Sequence, residues 1–196
     1  MLEPTTPAEK LELACRLIIS ALGEDPTREG LVDTPRRFRD AYLEDFAPNG
    51  GNSGRDALAK MVMSEKFDQL IVVRDIPVRS LCEHHILPWF GRAAIGYIPQ
   101  DKAVGLSKMT RMVDEVGRGL TIQERVTDKI ADLMNDVLRP LGVIVVIEAL
   151  HTCTLVRGVR TEVQTFTTSA ARGVFLTNPA PRAEFFSLIN RMKLLT

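Results

Sequence analysis

The sequence predicts an α+β fold: a mostly antiparallel sheet in the order strand-strand-helix-helix-strand-strand, behind an N-terminal helical segment. Three observations predict it. Apolar runs rich in β-branched residues come in two pairs, around 70–78 with 91–98 and around 143–150 with 161–170. Between the pairs lie two stretches with apolar residues at helical spacing. Ahead of both pairs, the run 48–54 (Pro48-Asn49-Gly50-Gly51-Asn52-Ser53-Gly54) marks a loop that closes a purely helical region.

The elements follow in order. Thr6-Pro7-Ala8-Glu9 has the form of a helix start, with a Thr cap, Pro at the first helical position and Glu three residues after the cap. Leu11, Cys15, Ile18 and Leu22 then give one apolar face, and Cys15 reads as a small buried hydrophobe on it. Thr34-Pro35-Arg36-Arg37 opens a second helix carrying Phe38, Ala41, Tyr42 and Phe46. Residues 1–54 therefore form a helical segment with a glycine-rich loop, and residues 55–196 the main domain. In that domain Pro77 places the first strand at an edge or a bulge. A helix over 106–116 is broken by Gly117-Arg118-Gly119, and Thr121 caps a longer one bearing Ile122, Val126, Ile130, Leu133, Met134 and Val137. Pro140-Leu141-Gly142 stops it, and a last helix covers 182–192.

Composition bounds the function. Lys+Arg and Asp+Glu number 25 each, so a formal net charge of zero gives no reason to expect nucleic acid or an anionic membrane as partner. Val143-Ile144-Val145-Val146-Ile147 is too short to span a bilayer, and residues 1–6 lack the features of a signal peptide. Three cysteines without an export signal fit a reducing cytoplasm.

The chemistry concentrates in two places. All three histidines lie in Cys82-Glu83-His84-His85 and His151-Thr152-Cys153, with two of the three cysteines. Thiolate and imidazole are preferred zinc ligands, and three protein ligands leave a fourth position open for a reactive water. Cys82, His85 and Cys153 would make such a site, with His84 and His151 beside it as proton carriers near pH 7. The competing readings are chance proximity and a Cys82–Cys153 disulfide, which the compartment disfavours. Ser107, Lys108 and Arg111 occupy the first turns of a helix, a ready phosphate site, to which Arg157 and Arg37 could add charge. Glu124 has two readings: the end of a Thr121-x-x-Glu124 capping box, or a fixed carboxylate for the N–H edge of a heterocycle such as guanine.

Taken together, these segments resemble GTP cyclohydrolase I. The residues that carry the resemblance are Cys82-Glu83-His84-His85, Gly105-Leu106-Ser107-Lys108 with Arg111, Gln123-Glu124-Arg125, His151-Thr152-Cys153 with Arg157-Gly158-Val159, and Thr167-Thr168-Ser169 to Gly173-Val174-Phe175. Glu29-Gly30-Leu31 and Thr34-Pro35-Arg36-Arg37 extend the match to about residues 8–190. The resemblance implies a T-fold subunit, a homodecamer of two pentamers with active sites at subunit boundaries, and conversion of GTP and water to 7,8-dihydroneopterin triphosphate and formate. It makes Cys82, His85 and Cys153 zinc ligands and His84 and His151 proton carriers, with Ser107 assisting the later steps. Lys108, Arg111, Arg157 and Arg37 would hold the triphosphate, while Gln123 and Glu124 read the guanine edge. Two places depart from the family pattern: Gly117-Arg118-Gly119, beside the expected guanine pocket, and Arg172, where a small or apolar residue is usual. The first departure is the only support for an enzyme that stops after ring opening. A non-catalytic T-fold protein binding GTP or a pterin would need neither the full ligand set nor the spare histidines.

Overall fold

The computed structural model describes residues 4–49, 54–59, 62–63, 67–158, 160 and 164–190. The chain divides into two compact units, Met1–Ala47 and Pro48–Thr196. In the first, α1 (Pro7–Ala21) begins with the predicted capping box: Glu9 N–H donates to Thr6 Oγ1 at 3.2 Å, and the Glu9 carboxylate accepts from Thr6 N–H at 3.0 Å. Those backbone donors hold the Glu9 carboxyl down to about 2. The buried stripe is Cys15 and Ile19, whereas Ile18 and Leu22 are exposed. The expected face is thus rotated by one residue after Cys15, because Ile19 continues the i, i+4 line that packs on α2 (Thr34–Ala41). α2 passes into a π-turn, Tyr42–Phe46, where the Phe38 and Tyr42 rings stack at 4.3 Å.

The second unit opens with α3 (Arg55–Ala59) and β1 (Val62–Met63). Next come β2 (Ile71–Cys82), β3 (Pro88–Ile98), β4 (Ala103–Val104), α4 (Leu106–Gly117), β5 (Leu120–Thr121) and α5 (Gln123–Leu138). The chain ends through β6 (Gly142–His151), α6 (Thr152–Leu155), β7 (Thr165–Gly173), α7 (Val174–Thr177) and α8 (Pro179–Ile189). The main sheet has the order β5-β2-β3-β6-β7, antiparallel except where β5 pairs with β2, and β1 pairs with β4 in a separate ribbon. The strand-strand-helix-helix-strand-strand order is therefore the observed one, with three two-residue strands added around it.

One sheet face is covered by α4 and α5. Val78, Ile95, Val145 and Ile147 meet Met109, Met112, Val126, Ile130 and Met134 there. The other face is covered at one end by α7 and α8, where Ala94, Ile144 and Val146 meet Phe175, Phe185 and Ile189. β6 is buried on both sides, which explains why its sequence is nearly continuous apolar rather than alternating. Cys82, Trp89 and Cys153 belong to the face covered by α4 and α5, at the end of the sheet where β3 begins and β6 stops.

Several expectations shift. β2 and β3 run further than 70–78 and 91–98, so that both reach the Cys-Glu-His-His turn. Pro77 sits where β2 has only β3 beside it, four residues before β5 pairs at Leu81, and just past a bulge between Val73 and Ile76 with Asp75 at φ 59. Thr121 is not a helix cap: it pairs with Cys82, and α5 starts one residue later from Ile122 with no side-chain cap. The last helix starts at Pro179, where Asn178 Oδ1 accepts from Ala180 N–H at 3.0 Å. Residues 161–163 and 191–192 of the expected strand and helix lie outside the described residues.

Both departures from the family pattern have a structural role. A Cβ on Gly117 would come within 2.6 Å of the Arg79 carbonyl oxygen, and Gly119 adopts φ 98. The Gly119 carbonyl accepts from Ser80 Oγ at 3.2 Å, so this segment docks β5 against β2. Arg172 reaches from β7 to Asp128 and Asp132 of α5, at 3.1 and 2.9 Å.

Gly91 is the tightest point of the β3–β6 pairing. A Cβ there would overlap the Glu148 carbonyl oxygen and lie 2.6 Å from Ala149 Cα. Gly91→Ala should destabilise the second unit by about 3 kcal/mol, read as a lowered midpoint in urea unfolding. An unchanged midpoint would show that β3 and β6 are not held at this spacing.

Candidate metal centre and active site

Three backbone hydrogen bonds close the turn after β2. Cys82 N–H donates to Leu87 C=O at 2.9 Å, and His85 and Ile86 N–H groups donate to Cys82 C=O at 3.3 and 2.8 Å. Ile86 takes φ 56, an unusual value for a β-branched residue that costs about 1–2 kcal/mol. The turn places the Cys82 Sγ 3.6 Å from His85 Nδ1 and 3.9 Å from His84 Nδ1.

The distant half arrives by strand pairing. β3 and β6 are in register with Trp89 opposite His151, so the end of β6 lies beside the turn. Thr152 Oγ1 donates to Pro88 C=O at 2.6 Å and anchors the single-turn α6, which carries Cys153. The ligand atoms of Cys82, His85 and Cys153 all fall within 4.8 Å of one another. Among the described residues this is the one such group, and both cysteines are free thiols. Two sulfurs and an imidazole nitrogen form a borderline-soft set suited to a transition metal, with at least one coordination position open. Burial pushes the Cys153 thiol up, the neighbouring Cys82 adds to this, and Arg157 opposes it. A bound cation would reverse the balance by favouring the thiolate.

Both unligated histidines are present in different settings. His84 is 65% exposed and lies 3.9 Å from Glu83, whose carboxylate is paired with Arg125 at 2.6 Å and held below its usual range. His151 is half-buried: Trp89 stacks on it at 5.4 Å, and Phe166 approaches edge-on at 5.8 Å. Burial lowers its pKa, and the Glu124 carboxylate partly offsets this. Burial thus favours the neutral form of this imidazole.

These groups share one cavity of about 280 Å³ with Gln123 and Glu124. Its volume falls just below the usual range of ligand pockets, about 300–1,000 Å³, and suits a heterocycle. Glu124 projects from the first turn of α5; since α5 has no side-chain cap, the capping-box reading of this carboxylate fails. Gln123 is fully buried, and its polar atoms are engaged within the chain.

The remaining predicted residues do not line this cavity. Lys108 and Arg111 line a second groove of about 880 Å³ with Arg79, Arg92, Phe90 and Asp114. Ser107 is exposed at the start of α4, and Arg157 is exposed just after α6. Arg37 belongs to the first unit, 3.5 Å from Asp33 on α2. A single chain thus assembles the metal and proton-carrying groups but does not bring the α4 cations to them. Sequence reasoning missed Trp89, Thr127 and Phe166. The one available signal was that Thr127 lies a helical turn beyond Gln123.

Residues 11–190 match the family model described as GTP cyclohydrolase I. A protein named GTP cyclohydrolase 1 from Rhodopirellula baltica is 48% identical over 182 residues, 93% of this chain and 79% of that one. The protein of that name from Geobacillus sp. is 46% identical over 187 residues, 95% of this chain and 98% of its own. The one from Campylobacter jejuni is 45% identical over 185 residues, covering 94% and 97%.

Replacing Cys153 by Ala should lower the transition metal retained per chain by about tenfold or more after dialysis, with the fold intact by circular dichroism. Full metal content in that variant, by elemental analysis, would sink the ligand assignment.

Proposed function

The chain belongs to the GTP cyclohydrolase I family, and from that premise we propose that it converts GTP and water to 7,8-dihydroneopterin triphosphate and formate. The observation that carries the proposal is one cavity holding a Cys-His-Cys ligand set, two imidazoles outside that set and a carboxylate with no capping duty. Cys82, His85 and Cys153 would hold zinc, for which thiolate and imidazole are the preferred ligands. Zinc in such a site acidifies a water toward neutrality, the nucleophile that attack at guanine C8 needs.

The chain's own residues do the rest. Glu124 accepts from the N1–H and 2-amino group of guanine, fixing the base with C8 toward the ligand set. His151, half-buried beside Trp89, exchanges a proton with the purine nitrogen as the imidazole ring opens to a formamide. His84, largely exposed, carries protons between cavity and solvent while a second hydrolysis releases C8 as formate. Opening of the ribose, an Amadori-type rearrangement and closure onto the pyrimidine amine complete the reaction, with Ser107 assisting.

The triphosphate must extend beyond a cavity of about 280 Å³. Lys108, Arg111, Arg157 and Arg37 are its proposed partners. Because Lys108 and Arg111 line the other groove, we propose that a neighbouring copy delivers them. The assembly would be a homodecamer of two pentamers of T-fold subunits, with each active site at a subunit boundary.

Zinc-loaded protein incubated with GTP should release formate and develop the pterin chromophore in equal amounts. No formate would remove the proposal, and formate without pterin would mean an enzyme that stops after ring opening. His84→Ala should keep its zinc while losing about 10²–10⁴ in kcat. Retention of wild-type kcat would exclude His84 as a proton carrier.

A further inference from the structure

Gln123 Nε2 lies 3.0 Å from the Ile147 carbonyl oxygen, 2.9 Å from that of Phe166 and 3.0 Å from Thr168 Oγ1. Backbone carbonyls can only accept, so the atom facing them must be the NH₂ group. That orients the amide without ambiguity, and the opposite end, Oε1, can only accept. It lies 2.9 Å from His151 Nε2. The hydrogen in that contact therefore belongs to the imidazole. Nδ1 has no hydrogen-bond partner among the described residues.

Two threonines lock the arrangement. Thr127 Oγ1 donates to the Gln123 backbone carbonyl at 2.8 Å and lies 2.7 Å from Thr168 Oγ1. With its one hydrogen committed to Gln123, Thr127 must accept from Thr168, and Thr168 in turn accepts from Gln123 Nε2. The donors form a closed ring: Gln123 amide to Thr168, Thr168 to Thr127, Thr127 back to Gln123. A chain of this kind polarises each member in the same sense and resists reversal. Gln123 and Thr127 are buried, and Thr168 is half-buried. The rings of Trp89 and Phe166 bound the imidazole on two further sides.

We infer that Gln123 is a positioning residue, whose carbonyl oxygen holds His151 as the Nε2–H tautomer and leaves Nδ1 as the ring's lone-pair nitrogen. This replaces the expected role of Gln123 in reading the guanine edge, since both amide hydrogens are taken up among the Ile147 and Phe166 carbonyls and Thr168 Oγ1. Recognition of the base then falls to Glu124. The tautomer stands on this geometry alone, while its catalytic consequence rests on the GTP hydrolysis proposed above.

The test is ¹⁵N solid-state NMR of the zinc-loaded protein labelled at its histidine ring nitrogens, with Gln123→Met as the variant. In the wild type, one ring should show a pyrrole-type signal at Nε2 and a pyridine-type signal at Nδ1, assigned to His151 by its loss in His151→Asn. Gln123→Met should split that ring between both tautomers and lower kcat about 10- to 100-fold, with KM for GTP within about twofold of wild type. An Nδ1–H tautomer in the wild type would overturn the inference even if Gln123→Met does not fold. So would a folded Gln123→Met protein whose His151 signals are unchanged. A raised KM at constant kcat would also overturn it, returning Gln123 to guanine recognition. Absence of formate release by the wild type would remove the hydrolytic reading and leave the tautomer result standing.

Discussion

The site depends on the antiparallel register of β3 and β6. Pairing Trp89 with His151 sets the end of β6 beside the turn that closes the β2–β3 hairpin, joining two half-sites far apart in sequence. A slip of one residue would turn His151 to the opposite sheet face and separate the cysteines. Register of this kind is strongly specified where both faces are buried, as they are along most of β6. Gly91 lets the two backbones approach. The strained Ile86 then shapes the turn itself, with the hairpin hydrogen bonds holding it in place.

Much of this was legible because it is local or compositional. Three histidines confined to two short stretches, each with a cysteine, singled out the ligand set without any knowledge of the fold. The order of strands and helices followed from periodicity. What escaped is tertiary. Two-residue strands such as β5 carry no period, so Thr121 read as a helix cap when pairing with Cys82 had claimed it. The face of α1 was displaced by a residue because several apolar side chains there could each continue the stripe, and only packing on α2 selects Ile19. The motif holding Lys108 and Arg111 was evident, but its separation from the metal group was not, since sequence order says nothing of which groove a helix face lines.

The two unligated histidines show how environment divides labour between identical side chains. His84 is exposed and faces an acidic residue already neutralised by Arg125, so it exchanges with solvent. His151 is walled by aromatic rings, shifted toward the neutral form by burial, and tied to Gln123. Environments that differ this much suit the two groups to the different roles proposed for them. Glu124, which has no capping partner, is a carboxylate lining the same cavity.

The central claim is an open zinc centre built from Cys82, His85 and Cys153, and X-ray absorption at the zinc edge of the loaded protein tests it most directly. The account predicts two sulfur scatterers at about 2.3 Å and two nitrogen or oxygen scatterers at about 2.0–2.1 Å, with one sulfur lost in Cys153→Ala. A shell of three or more sulfurs, or one without sulfur, would contradict it.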